Sequence, residues 1–299
     1  GAGARAAVSR SGGDEMNPAL PLTVLLAASF MWGLAWLPLK QLERLGLGGI
    51  ALTFIAASAA AVLLLPRLLR ERGRWRGQGR YLLLIAALGG YANLAFTVAM
   101  IYGEVVRAMV LFYLLPVWGV LGGWLFLGER LDALRVAAVA AALVGAFLIL
   151  GGFDALRGDV SWPDLLAISC GMTFAGNNLV FRARQTIPVA DKTAAMLLGA
   201  ALLAGVLLAA GVQPWPEASP VSWIAAAGYG LAWLLAATLG TQFGVTHMEA
   251  GRASIIIILE LLTAVATAVL IGGERMSPVE MGGGALILLA AVIEARRAI

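Results

Sequence analysis

Glu260 stands alone near the middle of an apolar segment running from about residue 252 to 273. If that segment crosses a bilayer, a carboxylate at its depth costs about 2.5–3.5 kcal/mol on insertion scales, so it must face protein or water rather than lipid. Such an acid can hold a substrate ammonium or carry a proton; its blander use is to bond a backbone carbonyl, protonated, at a packing contact. Asn177 and Asn178 sit side by side in another apolar segment. Neighbours on a helix diverge by about 100°, so at least one of the two points inward. An amide donates and accepts, and can therefore engage both ends of a zwitterion. The competing use is an interhelical hydrogen bond, worth about 0.6 kcal/mol on average.

Holding such groups at depth requires long apolar elements, and the composition supplies them. The chain has 299 residues, 61% of them hydrophobic and 13% charged, with a mean hydropathy of +0.90. Soluble domains have about half apolar and about a quarter charged residues, so lipid must be the solvent for most of this chain. The net charge of +4 would suggest nucleic acid in a soluble protein. Here the arginines lie in short connections between apolar runs, and an anionic leaflet is the better counter-charge. The single cysteine, Cys170, allows no internal disulfide; no metal-ligand cluster and no Walker motif are present, so no cofactor is expected.

Glu104, Arg107 and Ala108 recur 145 residues later as Glu249, Arg252 and Ala253, and the same offset carries Gly128-Glu129-Arg130 onto Gly273-Glu274-Arg275. Each pair of landmarks brackets an apolar segment of about 20 residues, the length that crosses a bilayer. Ser29-Phe30 and Ser169-Cys170 match at an offset of 140. The reading is an all-α integral membrane protein of ten transmembrane helices in two five-helix repeats. The spans fall near 20–40, 49–66, 81–102, 106–127, 134–152, 163–184, 192–213, 220–246, 252–273 and 278–296. Residues 1–19 form a flexible N-terminal arm, of which 1–15 read as an arm or an expression scar. The first repeat covers 20–152, a linker 153–162, and the second repeat 163–299.

With the N-terminus inside, 16 of the 21 Lys and Arg residues fall in inner segments, and only Lys40, Arg44, Arg107, Arg157 and Arg275 fall outside. Both termini are therefore placed in the cytoplasm and the chain in a bacterial-type inner membrane. An odd number of spans per repeat turns the second copy upside down. Inverted repeats of this kind point to a transporter whose site lies between the halves. Pro38 and Pro116 remove backbone hydrogen bonds and mark hinge candidates. Arg107 and Arg252 fall on opposite sides of the membrane, where each could help close one mouth or simply snorkel to lipid phosphate.

Ten spans, an inverted five-plus-five repeat and the pattern Arg-Ala, apolar span, Gly-Glu-Arg resemble the drug/metabolite transporter superfamily, in its EamA-like branch. Tyr113-Leu114-Leu115-Pro116 and Met31-Trp32 also resemble amino-acid exporters of the YddG type. That family commonly carries an acidic residue or a Pro within the motif span; here Pro116 occupies the first copy and Glu260 the second, with Leu261 where the second Pro would stand. The resemblance implies that Tyr91, Asn93, Tyr113, Trp32 and Trp36 line a cavity, offering π faces to an ammonium and polar tips to a carboxylate. Packing against lipid or core is the alternative for each. It also implies export of a small metabolite, an amino acid foremost, by alternating access, with proton coupling possible. Lipophilic cations are the main alternative cargo. A nucleotide sugar would call for basic residues deep in the spans, which are nearly absent. One histidine and one mid-span acid leave little for a membrane-embedded enzyme, and a scaffold has no use for an acid at that depth.

Overall fold

The computed structural model describes residues 19–127, 132–149, 160–247 and 250–297, and among these every regular element is helical. The helices are α1 (Ala19–Gly33), α2 (Trp36–Arg44), α3 (Gly49–Arg70), α4 (Arg72–Trp75), α5 (Gly79–Tyr102), α6 (Val105–Phe112) and α7 (Leu115–Leu127). They continue with α8 (Ala133–Ile149), α9 (Trp162–Ala183), α10 (Val189–Ala209), α11 (Pro220–Gly228), a π-helical turn (Tyr229–Leu234), α12 (Leu235–His247), α13 (Ala250–Leu270) and α14 (Pro278–Arg297). Among the described residues six helical stretches are long and apolar enough to cross a membrane: Ala19–Arg44, Gly49–Arg70, Gly79–Tyr102, Val105–Phe126, Val189–Ala209 and Pro220–Gly244. Shorter apolar stretches cover Val136–Leu148, Leu259–Leu270 and Pro278–Ala290. α9 is long, but Asn177 and Asn178 dilute its apolar run.

Two of the expected spans are not single rods. In the first, α1 ends at Gly33 and α2 begins at Trp36. Pro38 has no N–H for the Leu34 carbonyl, and its ring crowds that carbonyl. The chain responds by tightening: Ala35 N–H bonds Trp32 O and Leu37 N–H bonds Leu34 O, each three residues back. Pro116 has the same effect one turn upstream, where Leu114 N–H bonds Leu111 O and α6 gives way to α7. The corresponding helices of the second half, α9 and α13, run on unbroken. The seventh span begins earlier than expected, at Val189 rather than near residue 192. Pro188 caps it, and Lys192 is buried because its Nζ donates to Phe181 O and Arg184 O at 3.1 and 3.2 Å. The connection after α3 also contains a helical turn, α4.

Helix starts follow local chemistry. Ser161 precedes Pro163 and Asp164, whose carboxylate accepts from Ser161 N and Oγ at 2.9 and 2.7 Å. Ser277 and Glu280 form the same reciprocal box, and Ser219 caps α11 ahead of Pro220.

The packing repeats with the halves exchanged. α1 lies against α12 and α13, both in the second half; its counterpart α9 lies against α5, α6 and α7, all in the first. α3 pairs with α10 and α8 with α14, each element meeting its own counterpart. Side-chain register shows the directions: α1 runs parallel to α13, since Gly33 meets Thr263 while Trp36 reaches Thr267, and α6 runs antiparallel to it. Close approach depends on glycine. A Cβ on Gly90 of α5 would lie 2.6 Å from the backbone of Gly199 and Ala200 on α10.

Candidate functional site

Glu260 is the eleventh residue of the 21 in α13 and is 8% exposed. It sits where α13 meets the break between α1 and α2. Gly33, the last residue of α1, has no side chain, and a Cβ there would lie 2.7 Å from Glu260 O. The second break brings up Tyr113, whose hydroxyl donates to Ile257 O on α13 at 2.7 Å and lies within reach of the Glu260 carboxyl. Trp36, at the start of α2, donates through Nε1 to Thr267 Oγ1 at 3.1 Å. Thus the acid, both helix breaks and the two residues flanking them, Tyr113 and Trp36, share one junction.

Aromatic rings border that junction. Trp32 meets Phe96 edge-on with centroids 5.7 Å apart, Phe96 meets Phe112 at 5.8 Å, and Phe112 meets both Tyr113 at 5.6 Å and Phe174 at 5.9 Å. The chain of rings crosses from α1 through α5 and α6 to α9. Where Pro116 offers no N–H to Phe112 O, that oxygen faces Gly171 of α9, and a Cβ on Gly171 would lie 2.6 Å from it. One helix further over, Tyr91 and Ser169 share a hydroxyl–hydroxyl hydrogen bond of 2.8 Å, and Cys170 Sγ lies 3.1 Å from Ala92 O.

Asn177 lies farther along α9, about 12 Å from Ser169 at 1.5 Å per residue. It is fully buried against Gly89 and Met196, and neither its amide oxygen nor its nitrogen has a hydrogen-bond partner. A buried polar group left unpaired costs about 1–3 kcal/mol, so this one is a standing demand for a partner. Asn178, beside it, and Asn93 on α5 are half-buried. Pro38 lines an open apolar groove with Tyr229 and Trp233, on the π-helical turn, rather than the acid's junction. Trp233 Nε1 donates at 3.0 Å to Met31 O, the carbonyl that Ala35 N–H leaves free. The side chains of Pro116 and Arg252 lie outside the described residues.

Arg107 occupies the third position of α6 and is held by Asp164 of α9, Nε to Oδ1 at 2.8 Å. Around it is a polar cluster that the sequence did not reveal as one. Gly273 adopts φ +72°, the left-handed conformation that favours glycine, and the turn directs Glu274 across to the first half. There its carboxylate accepts from Val105 N and Val106 N at 2.8 and 2.9 Å, capping α6, and stands 3.7 Å from Lys40 Nζ. The Gly-Glu-Arg motif therefore stops one helix and caps another in the opposite half. Asp164 could have been found from the Ser-x-x-Asp box; its second task, holding Arg107, has no sequence signature. At the other end of the bundle Arg67 of α3 approaches buried Asp191 of α10 at 3.8 Å, and Arg184 packs on the Tyr81 ring and donates to its hydroxyl. Among the described residues no group of three or more His, Cys, Asp or Glu side chains could hold a metal ion.

This helical bundle, with its exchanged internal repeat and a buried acid at the middle of α13, is that of a multi-pass membrane transporter. The model of the EamA-like transporter family matches residues 20–151 and again 161–294, and the chain belongs to that family within the drug/metabolite transporter superfamily. It is 26% identical over 245 residues to an uncharacterized transporter of Archaeoglobus fulgidus, covering 82% of this chain and 86% of that protein. It is 29% identical over 188 residues to a riboflavin transporter of Rhizobium johnstonii, covering 62% of this chain and 53% of that one. A solved crystal structure, 19% identical, has the same fold with a TM-score of 0.60 over 93% of this chain and 98% of its own.

Proposed function

We propose that the protein is a secondary carrier that exports a small zwitterionic metabolite, an amino acid foremost, across the inner membrane by alternating access. The observation that carries this reading is the buried mid-helix carboxylate of Glu260 at the junction of α1, α6 and α13, beside two helix breaks and a chain of aromatic rings. Glu260 receives the substrate ammonium, with Trp32, Trp36 and Tyr113 around it. The free amide of Asn177, with Asn178, Asn93 and Tyr91, serves the polar remainder as the halves rock. Glu260 is also the group placed to carry a proton when no substrate is bound. Ten spans cross the bilayer as inverted halves, both termini lie in the cytoplasm, and Pro38 and Pro116 act as hinges. Arg107 and Arg252 act at opposite mouths. The alternating directions of the packed helices support this arrangement.

The test is uptake of a panel of labelled amino acids into proteoliposomes, with and without a pH gradient. Saturable movement of at least one amino acid is expected; intact protein that moves none would sink the reading. A second cargo class, flat aromatic metabolites and lipophilic cations, is favoured by the rings running from Trp32 to Phe174, and a relative carries the name riboflavin transporter. Competition between amino acids, riboflavin and an organic cation in one assay separates the two.

A further inference from the structure

Two short helices lie beyond the breaks, α2 after residues 34–35 and α6 before 113–114, and both belong to the end of the bundle that carries Lys40 and Glu274. They form the roof over the Glu260 junction. Both contribute to one buried apolar cluster, through Leu39 and Leu42 and through Val105 and Met109, and a polar tie joins them as well. Lys40 of α2 reaches Gly103 O, just ahead of α6, at 3.5 Å and Glu274 at 3.7 Å, while Glu274 holds the first two N–H groups of α6. Glu274 belongs to the second half, so one side chain ties both roof segments of the first half to the turn after α13. The start of α2 is also anchored there, since Trp36 bonds Thr267 and its ring packs on Gly272.

We propose that Glu274 is a latch: with its carboxylate seated on α6 and beside Lys40 this mouth is shut, and its release lets α2 and α6 part about the two breaks and opens the path to Glu260. The proposal rests on the alternating-access reading and names the residue that regulates one of its mouths. Two unlike features support it. A carboxylate at a helix N-terminus is a strong but breakable contact, and the segments it joins are the two with interrupted backbone ladders. Arg107 with Asp164 forms a second tie from α6 to α9, so removing Glu274 loosens the roof without freeing α6 altogether.

The experiment uses the full chain in detergent, with Cys170→Ala to remove the only native thiol. Ala108→Cys, buried on α6, reports on the roof; Ala142→Cys, buried in α8 against α14, reports on the rest of the fold. The rate of maleimide labelling is measured at each. Glu274→Gln and Glu274→Ala should speed labelling at residue 108 about tenfold and leave residue 142 unchanged, and Lys40→Met should give a smaller rise of the same kind. An unchanged rate at 108 in both Glu274 variants overturns the latch, as does an equal rise at 142, which reports general loosening. Neither outcome depends on cargo. Failure of every amino acid to move in proteoliposomes would overturn the transport reading while leaving the labelling result intact.

Discussion

The two halves of this protein share a scaffold and differ at the helices that flank the Glu260 junction. In the first half, α1 and α2 are separated by the break ahead of Pro38, and α6 and α7 by the break ahead of Pro116. In the second, Asn178 stands 140 residues after Pro38 and Leu261 stands 145 after Pro116, and α9 and α13 pass these points without interruption. Conversely, the mid-helix acid Glu260 and the buried amide Asn177 belong to the unbroken helices, while their counterparts Leu115 and Leu37 are apolar. The physical logic is consistent. A costly buried polar group is best fixed by a regular helix, and a helix that must bend is best relieved of such a group. On the hinge reading proposed above, the first half supplies compliance; the second supplies the mid-helix acid and amide and keeps an irregularity of its own in the π-helical turn Tyr229–Leu234.

That division can be broken at four points, taken from the largest expected effect to the smallest. Glu260→Gln retains shape and hydrogen bonding but removes the charge; transport should fall at least about tenfold, about 1.4 kcal/mol, with expression and thermal unfolding in detergent unaltered. Unchanged uptake would reduce Glu260 to packing. Leu261→Pro imposes on α13 the break that its counterpart has. A Pro in a helix interior costs about 3 kcal/mol or more, so this variant should unfold at clearly lower temperature and lose transport with it. The reciprocal Pro116→Leu should raise the unfolding temperature and slow exchange about threefold to tenfold, since the residue restores an N–H for Phe112 O. Faster exchange would refute the assignment of compliance to the first half. Asn177→Leu removes two unpaired buried atoms; it should stabilise the protein by about 1 kcal/mol and raise the KM for the polar part of the cargo, measurable as a shift in half-saturation with little change in kcat.

Much of the architecture could be read before any coordinates. The repeat offset follows from Glu104, Arg107, Gly128 and their copies, and the positions of Pro38 and Pro116 foretell where helices fail, because missing N–H groups are written in the residue type. Depth in its span singles out Glu260, and the family resemblance names Tyr113, Trp32 and Trp36; Tyr113 reaches α13 at Ile257, Trp36 reaches it at Thr267, and Trp32 meets Phe96. What the sequence conceals is partnership. Nothing in the Gly273-Glu274-Arg275 motif says that its acid caps the other half, because a cap is recognised by what it touches. Phe96, Phe112 and Phe174 look like any lipid-tolerant residue until their rings are seen in sequence across three helices. α10 starts three residues ahead of the expected span, because backbone acceptors for Lys192 let that charge sit buried in the first turn of the helix, beside Asp191. Nothing near Arg107 in the sequence names its acid: Asp164 lies 57 residues away and shows there only as a local cap.

The exchange of first helices has a further meaning for how such a chain comes into being. Because α1 packs on α12 and α13, and α9 on α5, α6 and α7, each half synthesised by itself would insert with a lipid-exposed seam shaped for a helix that only the other half provides. Two separate genes, cut between α8 and α9, would then encode obligate partners that are degraded singly and recovered together. The single reading frame links two mutually dependent pieces and fixes their ratio at one to one.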